Sequence, residues 1–416
     1  MNRKVVSEIM LVLLLIGTLT LAFNIQPVKA EPKTIIVPDD YPTIQEAINN
    51  ANEGDTIYAK AQLYYENIVI NKNNLTLLGE DKDTTIIDGS GSLTVMHVTA
   101  NNVIISGFTI QNGFGGIVLV DSDSCAISGN IIANNGNATR LISSDYCHIV
   151  GNVISDNFVL GIRLYNSDNS LISNNVLVGN GHGIGLVSYS MNNTVVGNKV
   201  TLGQYDGIGL GRYCNNNVVA CNTLSDNQHG MRLYLSSEST IYHNNFINNT
   251  QQVYIYTSGY ANVWDDGYPS GGNYWSDYEE RYPDAKELDG SGIWSTPYVI
   301  DENNQDNYPL MEPWSPIEVP PVEDTEAYID YVNKTMQNLP DDIFNKPGED
   351  VPDVKNDFSD LFDDALESID EGNYEGAIEK LNTIKMRMYE EIVESEERQE
   401  TISLIDDLIT CLQTLL

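Results

Sequence analysis

Two histidines and one aspartate recur at matching places in successive segments of the sequence, where together they could transfer protons or bind a metal. His182, Asp206 and His229 each stand two residues before an apolar residue of an internal repeat. Imidazole and carboxylate groups commonly act as general acids and bases. Two imidazoles and one carboxylate would also suit zinc or copper. A third interpretation is an exposed turn at which the three residues stack by chance.

Aromatic and basic residues accompany these three positions. An arginine follows the apolar position by one residue in two repeats, and a tyrosine follows it by three. The accompanying residues are Tyr205, Arg163, Arg232, Tyr165 and Tyr234. A histidine or tyrosine could abstract a proton from a sugar ring while an arginine stabilises the resulting anion. We therefore take Tyr205 as a fourth candidate catalytic residue and the arginines and other tyrosines as candidate ligand-binding residues.

The elements that would position these residues are the units of a repeat of 22 to 24 residues. Its clearest marker is an asparagine after a small or polar residue. The marker stands at Asn130, Asn152, Asn175, Asn198, Asn222 and Asn245. Short β-branched runs between Gly and Asn predict strands and turns, and a fixed period of this length is typical of a solenoid. The sequence predicts a right-handed parallel β-helix, with coils stacked at roughly 4.8 Å and the asparagines in a hydrogen-bonded column.

The domain organisation follows from changes in composition. Residues 31–314 should form the β-helix, with a capping helix over Thr43–Asn52 and an aromatic C-terminal cap that contains all four tryptophans. Residues 315–322 are a Pro-rich linker. In residues 323–416 apolar residues recur with helical spacing, which predicts an acidic bundle of about four helices with a possible protein partner.

The first thirty residues are typical of an export signal. Arg3 and Lys4 precede an apolar run from Ile9 to Phe23, and Ala30 provides a small residue for cleavage. No later stretch is apolar enough to cross a bilayer, so we expect no transmembrane segment in the mature chain. The predicted location is secreted, cell-surface or periplasmic.

The charge of the chain excludes one class of partner. The sequence has 59 Asp and Glu against 21 Lys and Arg, a net charge of −38. Such a surface repels phosphate backbones, so no nucleic-acid partner is expected.

The aromatic C-terminal cap could have either of two roles, and the same region contains a candidate calcium site. Trp264 and Trp275 could belong to a plug over the last coil or to a stacking platform for sugar rings. Asp301, Asn303 and Asp306 present oxygens at intervals that some calcium loops use, so calcium is a possible cofactor. No other cofactor is predicted.

Several motifs resemble a known family. The opening TIIVPDDYPTIQEAINNANEGDTIYAKAQLYYENIVINKNNLTLLGE, the GN-punctuated repeats, and GGNYWSDY followed by TPYVIDENNQDNYPL resemble the NosD-like periplasmic β-helix family over about residues 33–313. The resemblance implies a pectin-lyase-like solenoid of the type found in carbohydrate-binding proteins and sugar hydrolases. It also implies a copper-related accessory role, from which the family takes its name. The N-terminal segment resembles pectin methylesterases too, but their QDTL and DFIFG catalytic segments are absent, so that activity is not predicted.

Three functions follow from these observations. The first is the binding of glycan or cell-envelope polysaccharide without turnover, because the repeat offers a long regular face and no complete catalytic motif. The second is a polysaccharide lyase or epimerase that uses His182, Asp206 and His229. The third is a NosD-like copper-handling accessory protein.

Overall fold

The computed structural model describes residues 31–91, 93–257, 260–315, 325–339, 344, 351–370, 373–393 and 395–413. The predicted signal peptide lies outside the described residues, and so does most of the predicted linker. The chain divides after Trp314 into two compact units.

Three parallel sheets make up the first unit in its described part, because each coil contributes one short strand to each sheet. The strands of sheet A are Thr34–Val37, Thr56–Ala59, Thr76–Gly79, Ile104–Ser106, Ala126–Ser128, His148–Val150, Leu171–Ser173, Thr194–Val196, Val218–Ala220 and Thr240–Tyr242. The strands of sheet B are Leu63–Tyr65, Ile86–Asp88, Thr109–Gln111, Ile131–Ala133, Val153–Ser155, Val176–Val178, Lys199–Thr201, Thr223–Ser225, Asn245–Ile247 and Tyr274–Trp275. The strands of sheet C are Ile68–Ile70, Thr94–Val98, Gly115–Val120, Asn137–Ile142, Leu160–Tyr165, His182–Val187, Asp206–Leu210, His229–Leu233 and Gln251–Ile255. The chain is therefore a parallel β-helix, as the repeat predicts.

Apolar residues of equivalent position stack on one another through the interior. In sheet C, Ile162, Ile184, Ile208 and Met231 pair in register, and each is at most 1% exposed. Burial of one such side chain contributes about 1.5–3 kcal/mol. The residue after each of them points outwards because side chains alternate along a strand, whereas the residue before each of them is a buried glycine. The core therefore fixes which residues of sheet C reach its outer surface.

An asparagine column joins the coils inside the solenoid. It consists of Asn130, Asn152, Asn175, Asn198, Asn222, Asn244 and Asn273. The backbone N–H and the Nδ2 of Asn152 both donate to Oδ1 of Asn175 at 3.0 Å, and the same Nδ2 donates to the Ile127 carbonyl of the coil before. At the sixth position the column contains Asn244, whose Oδ1 accepts a hydrogen bond from Asn222 Nδ2, and not the predicted Asn245, which begins the next strand.

A short helix covers the N-terminal end, where the sequence predicts one. It spans Ile44–Asn50, and the Thr43 side chain accepts a hydrogen bond from the Glu46 N–H at 3.1 Å. Ile44, Ala47 and Ile48 are completely buried under it. The helix thus closes the hydrophobic core of the first coil.

The C-terminal cap is a buried plug, and the prediction of Trp264 and Trp275 as ligand-binding residues is wrong. Each indole is 1% exposed. Trp275 stacks between Phe246 and Tyr298 at ring-centroid distances of 4.3 and 4.1 Å. A sugar ring cannot reach either indole, because both are covered by protein. A four-residue helix, Tyr278–Arg281, and two short antiparallel strands, Tyr298–Val299 and Gln305–Asp306, complete the cap.

Asp306, one of the predicted calcium ligands, ends the asparagine column. Its Oδ2 accepts hydrogen bonds from the Asn273 N–H at 2.7 Å and from the Trp275 Nε1–H at 2.9 Å, while Oδ1 accepts one from the Tyr308 N–H. The side chain has no exposed surface, and burial raises its pKa to about 7. Asp301 uses Oδ1 to accept hydrogen bonds from Asn303 and Asn304. The loop therefore stabilises the cap through both aspartates, and calcium binding there stays a prediction.

The second unit is helical. Its helices in the described part are Thr325–Gln337, Val351–Asp370, Tyr374–Glu391 and Glu396–Gln413. Their apolar faces share a core that includes Val332, Phe358, Leu381 and Ile405, each without exposed surface. Among the described residues, no helix is both long enough and apolar enough to cross a bilayer.

We expect Asn175→Ala to destabilise the β-helix by about 2–4 kcal/mol, because it leaves the backbone N–H of Asn152 without its partner inside the solenoid and removes one donor each from the Ile149 and Ser173 carbonyls. Urea unfolding followed by tryptophan fluorescence measures this, since all four tryptophans lie in the first unit. Asn71→Ala, at an exposed position, is the control. Equal urea midpoints for the two variants would contradict the role given to the column.

Candidate functional site

Sheet C brings the three titratable residues into direct contact. His182, Asp206 and His229 stand at equivalent positions in three successive strands. The Nδ1 atom of His182 lies 3.1 Å from Asp206 Oδ2, and the Nδ1 atom of His229 lies 2.8 Å from Oδ1. Arg232 Nη1 donates to Oδ2 at 3.4 Å. One carboxylate therefore orients two imidazole rings, one from the coil on each side.

The environment of Asp206 keeps its carboxyl group ionised. Burial would raise the pKa of this group, but hydrogen bonds from His182 and His229, together with the positive charge of Arg232, lower the pKa below its ordinary value. An ionised carboxylate can only accept hydrogen bonds, so the Nδ1 atom of each ring must carry a proton. In the neutral ring the unprotonated atom is then Nε2, which is the atom that can act as a base.

An aromatic ring stacks on each of the two imidazoles. Tyr205 stacks on His182 with a centroid distance of 4.8 Å, and Tyr254 stacks on His229 at 4.7 Å. Tyr205 is 49% exposed, so its ring forms part of the accessible surface. The rings and the carboxylate together leave each imidazole little rotational freedom.

Beside these residues the outer surface of sheet C forms a trench two coils wide. Its floor is Gly185 and Gly209, and its walls are Arg163 of the preceding coil and Arg232 of the following coil, in register with one another. A Cβ atom at either glycine would meet no other atom within 4 Å. The trench holds a cavity of about 530 Å³, which is also lined by His182 and Asp206. The missing side chains therefore create open space next to the imidazole groups.

Positive charge is concentrated around the trench. Between Asp83 and Glu280 the sequence has only five Lys and Arg residues. Three of them, Arg163, Arg212 and Arg232, line the cavity, and Arg140 pairs in register with Arg163. Loss of hydration lowers the pKa of Arg163, and so does the charge of Arg140. The fifth, Lys199, lies in sheet B. An anion bound in the trench would relieve the repulsion between Arg140 and Arg163.

The two predicted tyrosines differ in their relation to the cavity. Tyr234 lines it, and its ring meets that of Tyr256 edge to face at 5.0 Å. Tyr165 is 48% exposed on the neighbouring strand, and it pairs in register with Val187, which lines the cavity.

Several residues of the site were missed by sequence reasoning. Gly185 and Gly209 stand in the same column as Arg163 and Arg232, so their absence of a side chain was readable from the repeat. Tyr254 stands in that column too, but nothing in the spacing indicates that its ring leans over His229. Arg140 could have been found from the column of Arg163.

The fold and the site define a class of protein, a parallel β-helix with a basic trench on one sheet. The chain belongs to the NosD family. The model of that family, described as periplasmic copper-binding protein (NosD), matches residues 48–280.

Solved structures similar to the chain are β-helix proteins at low identity. The A-module of the mannuronan C-5 epimerase AlgE6 of Azotobacter vinelandii is 15% identical, with a TM-score of 0.42 over 55% of this chain and 80% of the other. The ORF18 protein of Geobacillus virus E2 is 17% identical, with a TM-score of 0.43 over 65% of each chain. The catalytic domain of a GH87 α-1,3-glucanase is 16% identical, with a TM-score of 0.40 over 54% of this chain and 47% of the other. At these identities the likeness is one of fold.

One curated protein is similar over a short segment. The probable pectinesterase/pectinesterase inhibitor 6 of Arabidopsis thaliana is 35% identical over 92 residues, which is 18% of this chain. The match spans 17% of that relative's length.

The residues of the described part do not fit the copper named in the family description. No group of three or more His, Cys, Asp or Glu residues is placed there to hold a metal ion. The thiols of Cys125 and Cys147 donate to backbone carbonyls inside the solenoid, and Met96 and Met231 are buried in the core. The Nδ1 atoms of the two imidazoles that share Asp206 are engaged by its oxygens.

We expect Asp206→Asn to abolish the fixed tautomer of one of the two histidines, His182 or His229, because the amide keeps one oxygen that accepts a hydrogen bond while its NH₂ group cannot accept one from the other Nδ1–H. Nitrogen-15 NMR of the imidazole side chains should show Nδ1 protonation of both rings in the wild type and its loss from one of them in the variant. His148, which is exposed, gives an internal reference that should not change. An unchanged spectrum at His182 and His229 would refute the orienting role of Asp206.

Proposed function

We propose that the trench binds an acidic polysaccharide outside the cytoplasm, in the periplasm or at the cell surface. The observation that carries the proposal is the placement of arginines. A segment of nearly two hundred residues has five basic residues, and four of them stand at or beside one cavity. The rest of the chain is strongly acidic, so this local charge is selective for a negative ligand.

The shape of the trench supports a sugar polymer in particular. The glycine floor gives a flat surface that a ring can approach closely, and the cavity is open to solvent along the sheet. Arginine guanidinium groups match carboxylate and sulfate oxygens in geometry and charge. Exposed tyrosines near the walls offer apolar faces to sugar rings.

The proposal predicts that Arg163→Gln weakens binding of polyuronate at least tenfold, since it removes one of the walls and one positive charge. Affinity electrophoresis and calorimetry with alginate, polygalacturonate, a sulfated polysaccharide and a neutral glucan measure it. Lys199→Gln is the matched control, with the same change of charge on sheet B and no expected effect. If the wild type binds none of the acidic polymers, or if both variants lose affinity equally, the proposal fails.

A second candidate function is proton transfer on the bound polymer, as in a lyase or an epimerase. The observation that favours it is Asp206, which orients two imidazoles and leaves Nε2 of His182 directed away from the carboxylate. In such a reaction Nε2 takes the proton from the carbon next to the sugar carboxylate, and Arg163 or Arg232 stabilises the negative charge that develops. In an epimerase a water molecule then protonates that carbon from the opposite face; in a lyase a carbon–carbon double bond forms, and the leaving oxygen departs with the electron pair of its bond and takes up a proton.

The two reactions leave different marks on the polymer, so two readouts are needed. We expect the wild type either to incorporate deuterium from heavy water at the carbon next to the carboxylate, as an epimerase does, or to release unsaturated ends that absorb in the ultraviolet, as a lyase does. His182→Ala should abolish the observed product while it changes polymer affinity less than threefold, since the arginines remain. Absence of both deuterium and unsaturated ends in polymer incubated with the wild type would leave binding as the function and exclude proton transfer.

A further inference from the structure

We propose that Tyr189 and Tyr213 form a stacking subsite at the far end of the trench, so that the polysaccharide lies parallel to the strands and across the solenoid axis. The inference rests on the proposed function, and it specifies the direction and the minimum length of the ligand. It depends on features that occur together in the two coils that form the trench floor.

The first feature is the backbone conformation of the two tyrosines. Their φ angles are +65° at Tyr189 and +57° at Tyr213. This left-handed region is unfavourable for a bulky side chain and is normally occupied by Gly, Asn or Asp. At the turn after sheet C, other coils have Asp121, Ser143, Asn166 and Leu235 in this conformation, and the two trench coils have a tyrosine in it. Strain of this kind is concentrated at ligand sites in proteins.

The second feature is an additional residue in both turns. In the neighbouring coils the next buried serine comes five positions after the apolar core residue: Ser167 follows Ile162, and Ser236 follows Met231. In the two trench coils the interval is six positions: Ser190 follows Ile184, and Cys214, which takes the place of the serine, follows Ile208. The lengthened turns contain the two tyrosines.

The third feature is the position of the two rings. They stack on each other with a centroid distance of 5.2 Å and an interplanar angle of 30°. Tyr189 is 52% exposed and Tyr213 is 36% exposed. They directly follow Ser188 and Arg212, which line the cavity. The pair therefore presents apolar surface at the end of the trench opposite His182 and Asp206.

These features define a path for the ligand. Asp206, Gly209 and Tyr213 belong to one coil, and His182, Gly185 and Tyr189 repeat the same spacing in the coil before. The strand His182–Val187 alone, with five steps of about 3.3 Å, spans about 17 Å. The path from the imidazoles over the glycines to the tyrosines is thus long enough for several sugar rings. Arg163 and Arg232 then lie on its two sides, where they can reach acidic groups of the polymer.

The experiment compares short and long oligosaccharides of the polyuronate that the wild type binds, alginate or polygalacturonate. We expect the wild type to bind the hexasaccharide at least tenfold more tightly than the disaccharide. The double substitution Tyr189→Asn and Tyr213→Asn should remove most of this gain and leave disaccharide affinity unchanged. Since asparagine adopts positive φ more easily, the melting temperature of the variant should stay equal or rise.

Tyr146→Asn is the matched control. Tyr146 has a φ angle of +56° and is 59% exposed, but it does not line the cavity. Its substitution should relieve the same backbone conformation without an effect on either oligosaccharide. The inference is overturned if the double variant keeps the full length dependence, or if its melting temperature falls, which would make the tyrosines structural. If the wild type binds neither oligosaccharide, the failure belongs to the proposed function instead.

Discussion

Alignment of each coil with the next is the constraint on which the rest of this molecule depends. A solenoid interior has no water to satisfy its turns, so every buried amide group must find a partner one coil away. The asparagine column meets this need with two donors and one acceptor per residue. The same alignment places His182, Asp206 and His229 within hydrogen-bonding distance, although 24 and 23 residues separate neighbouring members.

The electrostatics of the site depend on the position of charges more than on their sum. A net charge of −38 describes the whole surface, yet the trench collects most of the basic residues of the central coils. Arg232 neutralises Asp206 within the site, whereas Arg140 and Arg163 repel each other and receive no such compensation from a carboxylate among the interactions of the described residues. A bound anion would supply that compensation, and this links the shape of the trench to the chemistry of its ligand.

The repeat allowed the fold and the histidine column to be predicted, because residues one repeat apart in the sequence of a solenoid lie next to each other in adjacent coils. The glycine floor was equally readable, since Gly185 and Gly209 occupy the column of Arg163. The burial of the cap tryptophans could not be predicted, because a buried plug and a sugar-binding platform have the same aromatic composition. Only the structure shows that Phe246 and Tyr298 cover Trp275. The position of Tyr189 could not be predicted either, because the additional residue in its turn changes the spacing of the repeat there.

The bonds between successive side chains of the asparagine column all run from a donor to the Oδ1 of the next coil, and the column ends on the carboxylate of Asp306. Each coil thus supplies an Oδ1 acceptor to the coil before it, and its own donors bond to the coils on both sides. A tandem duplication of one complete coil would keep every amide satisfied, and both caps would still meet the ends they fit. Evolution can therefore widen or narrow the surface of sheet C by one strand at a time, without any change to the residues that close the solenoid.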